Sequence, residues 1–248
     1  ASIKPHPGTD YIGVNGEIIK LFDPQPPPYE LGWPSTFTFI QPQLEKLLRA
    51  SMSKKKNIQF FSGYELSNLF QNKREVGIRL NNISDNKKLE IVADYLIGCD
   101  GARSFVRSIL KINMEDHGFD ESWIVVDAHL IKETNLPKKT TQYCWPSRPA
   151  TYVVGPGNLR RWEIKILPKE NKKYFNDQEN VIEVLKNYVD VSALDIWRSA
   201  TYRHKVVVAK DWRKRRVFLA GDSAHQTPPF LGQGLCTGMR DAFNISWK

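Results

Sequence analysis

The chain has 248 residues, 41% hydrophobic and 11% aromatic, with a formal net charge of +9. That length and composition exclude a disordered chain and allow one large domain or two modest ones with a real core. No apolar run approaches the roughly 20 residues of a membrane span, and no charged-then-apolar leader opens the sequence, so neither membrane contact nor a targeting signal is expected.

Short strands are predicted on either side of the turn Gly13-Val14-Asn15-Gly16, within Ile12 to Phe22. The proline-rich run Pro24 to Pro28 follows as a stiff, extended connection. Phe37 to Ile40 is a short strand. Pro42 then opens a helix with Leu44, Leu47, Leu48 and Met52 on one face. Asn57 to Val92 is a series of strands, in which Val76, Ile78 and Leu80 share a face. Tyr95-Leu96-Ile97-Gly98-Cys99 is an unbroken apolar run ending in Asp100-Gly101, the pattern of a buried parallel strand with a polar residue at its carboxyl end. From Glu121 to Asp211 strands dominate: Trp123 to Leu130, Gln142 to Trp145, Thr151 to Val154, Arg161 to Leu167 and Tyr202 to Val208. One helix, with Val181, Val184, Leu185 and Tyr188 on a face, interrupts them. Val217 to Ala220 is a further buried strand ending in Gly221-Asp222. After a proline and glycine loop comes a last helix with Met239, Ala242, Phe243, Ser246 and Trp247 on one face.

Three cysteines, odd in number and without paired spacing, suggest neither a disulfide framework nor a metal site, and a reducing cytoplasm is the expected home. The basic clusters Lys54-Lys55-Lys56 and Arg213-Lys214-Arg215-Arg216 come without a nucleic-acid-binding motif and are expected to be solvated turns, with no nucleic-acid partner.

Chemistry concentrates in Gly221-Asp222-Ser223-Ala224-His225 and its continuation through Pro228-Pro229 to Gly232-Gln233-Gly234. An acid at a strand end can accept hydrogen bonds from sugar or ribityl hydroxyls. Glycines ahead of a helix let backbone amides approach a planar ligand at the positive end of the helix dipole. Either half alone is equally a plain strand-to-helix turn.

Together, Arg216 through His225, Pro228, Gly232, Gly234, Gly238, Asp241-Ala242 and Trp247-Lys248 resemble the second FAD-binding motif of single-component flavin aromatic hydroxylases. Asp94 through Arg107 resembles that family's other internal motif, which serves both flavin and nicotinamide cofactor. Gly32-Trp33-Pro34, Phe39 to Gln43, Trp123 to Asp127 and Gly238 to Asn244 point to the 3-(3-hydroxyphenyl)propionate hydroxylase branch. The resemblance implies an α/β (α+β) fold, with a partial Rossmann-like FAD-binding domain and an inserted, mainly β substrate domain. The expected sections are 1–30 (substrate-domain strands and connection), 31–112 (FAD-binding part), 113–212 (β-rich substrate domain) and 213–248 (FAD-binding part).

It further implies FAD as cofactor, NADH or NADPH as reductant, and hydroxylation of a phenolic acid with O2. On this reading Gln41 reaches the pyrophosphate. Asp100, Gly101 and Arg103 support the FAD and nicotinamide phosphates, and Gly221 and Asp222 meet the ribityl chain. Gly232 and Gly234 open the helix whose Leu235 and Cys236 amides face the flavin pyrimidine edge, and Pro229 lies beside the substrate. The flavin carries the chemistry, so no catalytic side chain or metal is expected. Substrate candidates are Arg148 and Arg161 for a carboxylate and Tyr143, Trp145 and Tyr152 for an aromatic pocket, against a plain role in sheet packing and surface charge. His225 is expected to brace its loop, and Arg107 is equally a ligand contact or a helix-surface charge.

Two departures stand out. Cys236 replaces the family's usual asparagine, and no Gly-x-Gly-x-x-Gly unit opens the sequence. The expectation is therefore a fragment lacking that amino-terminal unit and the family's carboxyl-terminal region. The alternatives are a non-catalytic remnant, a partner-binding fragment, or a related quinone-pathway hydroxylase. A homo-oligomer or a complementing chain stays open as a partner.

Overall fold

Alternating apolar residues along the central strands fix one face of a large sheet against a helix. The computed structural model describes residues 3–248. They form two compact units, one comprising the chain up to Ile58 with Glu121–Arg203, the other Gln59–Asp120 with His204–Lys248. These units do not follow the expected sections: residues 31–58, expected in the FAD-binding part, group with the β-rich unit, and 113–120 and 204–212, expected in the β-rich part, group with the other.

The chain opens with β1 (Ile3–Pro5), β2 (Thr9–Ile12), β3 (Ile18–Phe22), β4 (Phe37–Phe39) and α1 (Gln41–Met52). Pro42 lies in the first turn of α1, where a missing amide costs nothing. The predicted apolar face of α1 is not buried, however; no residue of the helix is, and Leu47 is 64% exposed.

The second unit begins with the antiparallel meander β5 (Tyr64–Gln71), β6 (Val76–Asn82) and β7 (Lys88–Ala93). Next come β8 (Leu96–Gly98) and α2 (Phe105–Leu110). β9 (Met114–Leu130) then leads into the first unit, where β10 (Thr140–Tyr143), β11 (Ala150–Val154), β12 (Leu159–Lys165) and α3 (Gln178–Leu185) follow. β13 (Leu194–Ala209) leads back to β14 (Arg213–Lys214), β15 (Val217–Leu219), β16 (His225–Gln226) and α4 (Gln233–Ser246).

In the first unit the strand order is β13-β9-β12-β11-β10-β2-β3. Its core joins Ile124, Val126 and Ala128 of β9, Trp162 and Ile164 of β12, and Val181 and Leu185 of α3, each fully buried. A valine, leucine or isoleucine side chain buried this way contributes roughly 1.5–3 kcal/mol. β9 and β13 are longer than predicted, because acidic and glycine-containing stretches such as Met114 to Asp120 carry little apolar periodicity yet still pair.

In the second unit β15 pairs in parallel with β8 and antiparallel with β14. Val217, Leu219, Val106, Leu110 and Ala224 form its core with Leu69 and Val76 of the meander. The prediction that Tyr95 to Cys99 is a buried strand is corrected: β8 has a single neighbour among the described residues, and Tyr95 and Ile97 are 55% and 45% exposed. A parallel strand lacking one neighbour leaves its apolar side chains in water.

Candidate functional site

The glycine-containing and acidic segments of the second unit meet at the carboxyl ends of β8 and β15. Beyond β8, Gly101 adopts a positive φ of 82°, turning the chain into α2. Ser104 is the N-cap, its Oγ accepting from Arg107 N at 2.9 Å. Asp100 reinforces the start of the helix: Oδ1 accepts from Ser104 Oγ at 2.5 Å and Oδ2 from Val106 N at 3.0 Å. The carboxylate thus satisfies helix amides and complements the dipole. Arg103, by contrast, is exposed and pairs with no described residue.

Arg107 ties this loop to the second one. Nη1 donates to Ser223 O at 2.8 Å and Nη2 to Ala102 O at 2.8 Å. Of the two sequence readings of Arg107, neither describes this brace. Ser223, fully buried, donates Oγ–H toward Gly98 O (2.6 Å) and accepts from Ala220 N (3.1 Å), locking the end of β15 to β8.

Gly221, with φ 62°, turns out of β15 into a short 3-10 turn that presents Asp222. Asp222 is exposed, and no described residue bonds its carboxylate. His225 is buried; its Nε2 lies 2.6 Å from Asp241 Oδ2 and its ring stacks on Trp212 at 5.2 Å. The ring therefore braces the loop, as its position in the sequence suggested. Gly232, φ 63°, starts α4 with no side-chain cap, so the first amides of the helix lack that partner. Leu235 and Cys236 are exposed in the first turn. Pro229 is half-buried at the head of the preceding 3-10 turn.

These features fit a flavin. Thr227 Oγ1 is buried without a hydrogen-bond partner among the described residues, and a side chain on Gly234 would begin 3.9 Å from it. No atom lies within 4 Å of where a side chain on Gly101, Gly221 or Gly232 would start. An exposed acid for hydroxyl groups, an uncapped helix start and an orphaned hydroxyl make a polar, open cradle.

Gln41 belongs to the other unit, where its side chain donates to Glu45 at 2.9 Å. So do the substrate candidates. Arg148 forks onto Glu170 at 2.9 and 2.5 Å, which raises its own pKa and, as the chief cause, holds the Glu170 carboxyl below its ordinary value. Arg161 forks onto buried Asp127 at 2.7 and 3.1 Å, with Arg198 3.4 Å from the same carboxylate. Beside them burial pushes the Glu163 carboxyl up. Tyr152 packs on Trp162 within the core. Tyr143 and Trp145 cluster with Tyr188, and Trp145 Nε1 donates to Gly13 O at 2.9 Å. Burial pushes the phenols of Tyr143 and Tyr188 up to about 12. Asp241 and Ser104 fall within the two motifs, yet the sequence assigns neither a role. The signal for Ser104 was its place before a helix; Asp241 had none, since its partners lie 20 and 16 residues away.

The family model described as FAD binding domain matches residues 14–248. A 3-(3-hydroxy-phenyl)propionate/3-hydroxycinnamic acid hydroxylase of Burkholderia cenocepacia is 34% identical over 95% of the chain and 43% of its own length. A Rhodococcus jostii protein named "Probable NADH-specific resorcinol 4-hydroxylase" is 31% identical over 98% of the chain and 47% of its own length. The chain thus spans less than half the length of these relatives. Among solved structures, p-nitrophenol 4-monooxygenase from Pseudomonas putida covers 98% of the chain and 62% of its own at TM-score 0.82 and 20% identity. The flavin-dependent monooxygenase PieE, in complex with FAD and substrate, covers 98% and 45% at TM-score 0.80 and 21% identity. The fold is the one predicted.

Proposed function

The chain belongs to the FAD binding domain family, and from that premise we propose that it is the flavin-holding part of an FAD-dependent monooxygenase that hydroxylates a phenolic aromatic acid with NADH or NADPH and O2. The observation that carries this reading is Asp222: an exposed carboxylate without a partner among the described residues, at the carboxyl end of β15, on a turn hydrogen-bonded to α4. An acid at the carboxyl end of a strand in an open α/β sheet stands where ligand hydroxyls can donate to it. The chemistry that FAD would supply there is two-electron exchange with NADH or NADPH and activation of oxygen.

The chain's own residues would bind and orient. Asp222 would accept from ribityl hydroxyls, and Thr227 Oγ would gain the partner it lacks. The Leu235 and Cys236 amides would face the pyrimidine edge; because that contact uses the backbone, cysteine in place of asparagine leaves it intact. Arg103, exposed and unpaired among the described residues, would meet a phosphate. Gly101 would let the backbone approach the cofactor, whereas Asp100 would act by holding α2 in place. Gln41 would reach the pyrophosphate. Pro229 would border the substrate. In the other unit Arg148 and Arg161 are committed to Glu170 and Asp127, and Tyr143, Trp145 and Tyr152 to aromatic packing, so these five would support their sheet.

No helix among the described residues is long and apolar enough to cross a membrane; cytoplasmic placement belongs to this proposal. So does a complementing polypeptide segment, supported by the exposed apolar residues of β8 and α4. The test is NAD(P)H oxidation by the FAD-loaded chain with 3-(3-hydroxyphenyl)propionate or resorcinol under labelled O2. A ring-hydroxylated product carrying one atom of label supports the reading. Oxidation without product would leave a flavin-binding remnant that needs a complementing segment.

A further inference from the structure

We infer that Asp241 is a positioning residue: one carboxylate oxygen clamps the Gly221–Asp222 turn to α4. Asp241 Oδ2 accepts from Gly221 N at 2.8 Å and lies 2.6 Å from His225 Nε2. The amide of Gly221 needs such a partner. The preceding amide, Ala220 N, still joins β8 by donating to Gly98 O at 3.1 Å. At Gly221 the backbone turns into the left-handed region and its N–H leaves the ladder. A carboxylate receiving two donors holds them more strongly than a neutral acceptor would.

The helix needs the anchor too. α4 has no buried residue, and its stripe Leu235, Met239, Phe243 and Trp247 is 48–76% exposed, so apolar packing does not fix it. One turn before Asp241 comes Gly238, where a side chain would begin 3.7 Å from Gly221 Cα. That close approach puts Asp241 level with the turn. His225, buried and stacked on Trp212, holds the carboxylate from the other side. The position of the helix's amino end relative to Asp222 therefore depends on Asp241.

The inference rests on the flavin reading for its ligand but not for its geometry. The test uses the full 248-residue chain with Asp241→Asn and Asp241→Ala. Hydrogen exchange of the Gly221 amide, FAD affinity and visible circular dichroism of bound flavin are the measurements. In Asp241→Ala, Gly221 exchange should quicken and FAD affinity should fall, each by roughly tenfold or more. Asp241→Asn, which keeps an oxygen for Gly221 but loses the charge, should show a smaller change in both. Amides of the β5–β6 pair should keep their protection. If the alanine variant does not fold, the asparagine variant decides alone. Unchanged Gly221 exchange, or equal loss of protection across β5 and β6, overturns the clamp. If the unmodified chain takes up no FAD, the functional reading fails, and Gly221 exchange by itself decides for or against the clamp.

Discussion

Two aspartates end neighbouring strands, and their surroundings give them opposite uses. Asp100 spends both oxygens on Ser104 and the Val106 amide, whereas Asp222 is exposed and bonded to no described residue. Asp222→Ala should therefore weaken FAD binding by roughly tenfold while leaving the melting temperature unchanged, since it removes an acceptor for ligand hydroxyls only. Ser104→Ala should do the reverse, lowering stability by about 1 kcal/mol through loss of the α2 cap, as measured by urea denaturation. From sequence both acids look alike; the difference lies in Ser104 and in Arg107, whose brace to Ser223 crosses 116 residues. Tyr143 and Tyr188 give a pH signature. Each phenol is pushed up to about 12 by burial, so the folded chain holds these protons more tightly than the unfolded one, whose phenols titrate near 10.0. Their stabilising effect is complete below about pH 10 and is lost as pH rises toward 12. The melting temperature should fall over that interval, and less steeply in Tyr143→Phe.

Among elements, α4 and β8 show what periodicity conveys and what it leaves out. The stripe Met239, Phe243 and Trp247 is where the spacing put it, and the parallel pairing of β8 with β15 follows the apolar runs. Spacing identifies a face that needs cover but not the element that covers it. The same holds for α1, whose Leu47 and Leu48 are exposed. In the first unit, by contrast, α3 covers the sheet, and Trp162, Val181 and Leu185 are buried as their pattern requires. An exposed stripe of this kind drives association. Met239→Lys combined with Phe243→Glu should reduce self-association in sedimentation velocity, with far-UV circular dichroism preserved because neither side chain is buried.

At the scale of the molecule, the chain is two units joined by repeated crossings, with bounds that differ from the expected sections at residues 31–58, 113–120 and 204–212. The mixed α/β class was legible because apolar runs, alternation and helical spacing change along the chain. The grouping was not, since α1 looks like any amphipathic helix and only its three-dimensional contacts assign it. The candidate site was legible as two motifs, and the residues that hold those motifs together, Ser223, Arg107 and Asp241, are visible only in the folded chain. Whether the second unit carries a working flavin cradle is read from FAD titration of the purified chain. Uptake should be saturable and stoichiometric, with quenched flavin fluorescence, and weakened by Asp222→Ala. No saturable binding, or binding that Asp222→Ala leaves untouched, would contradict such a cradle.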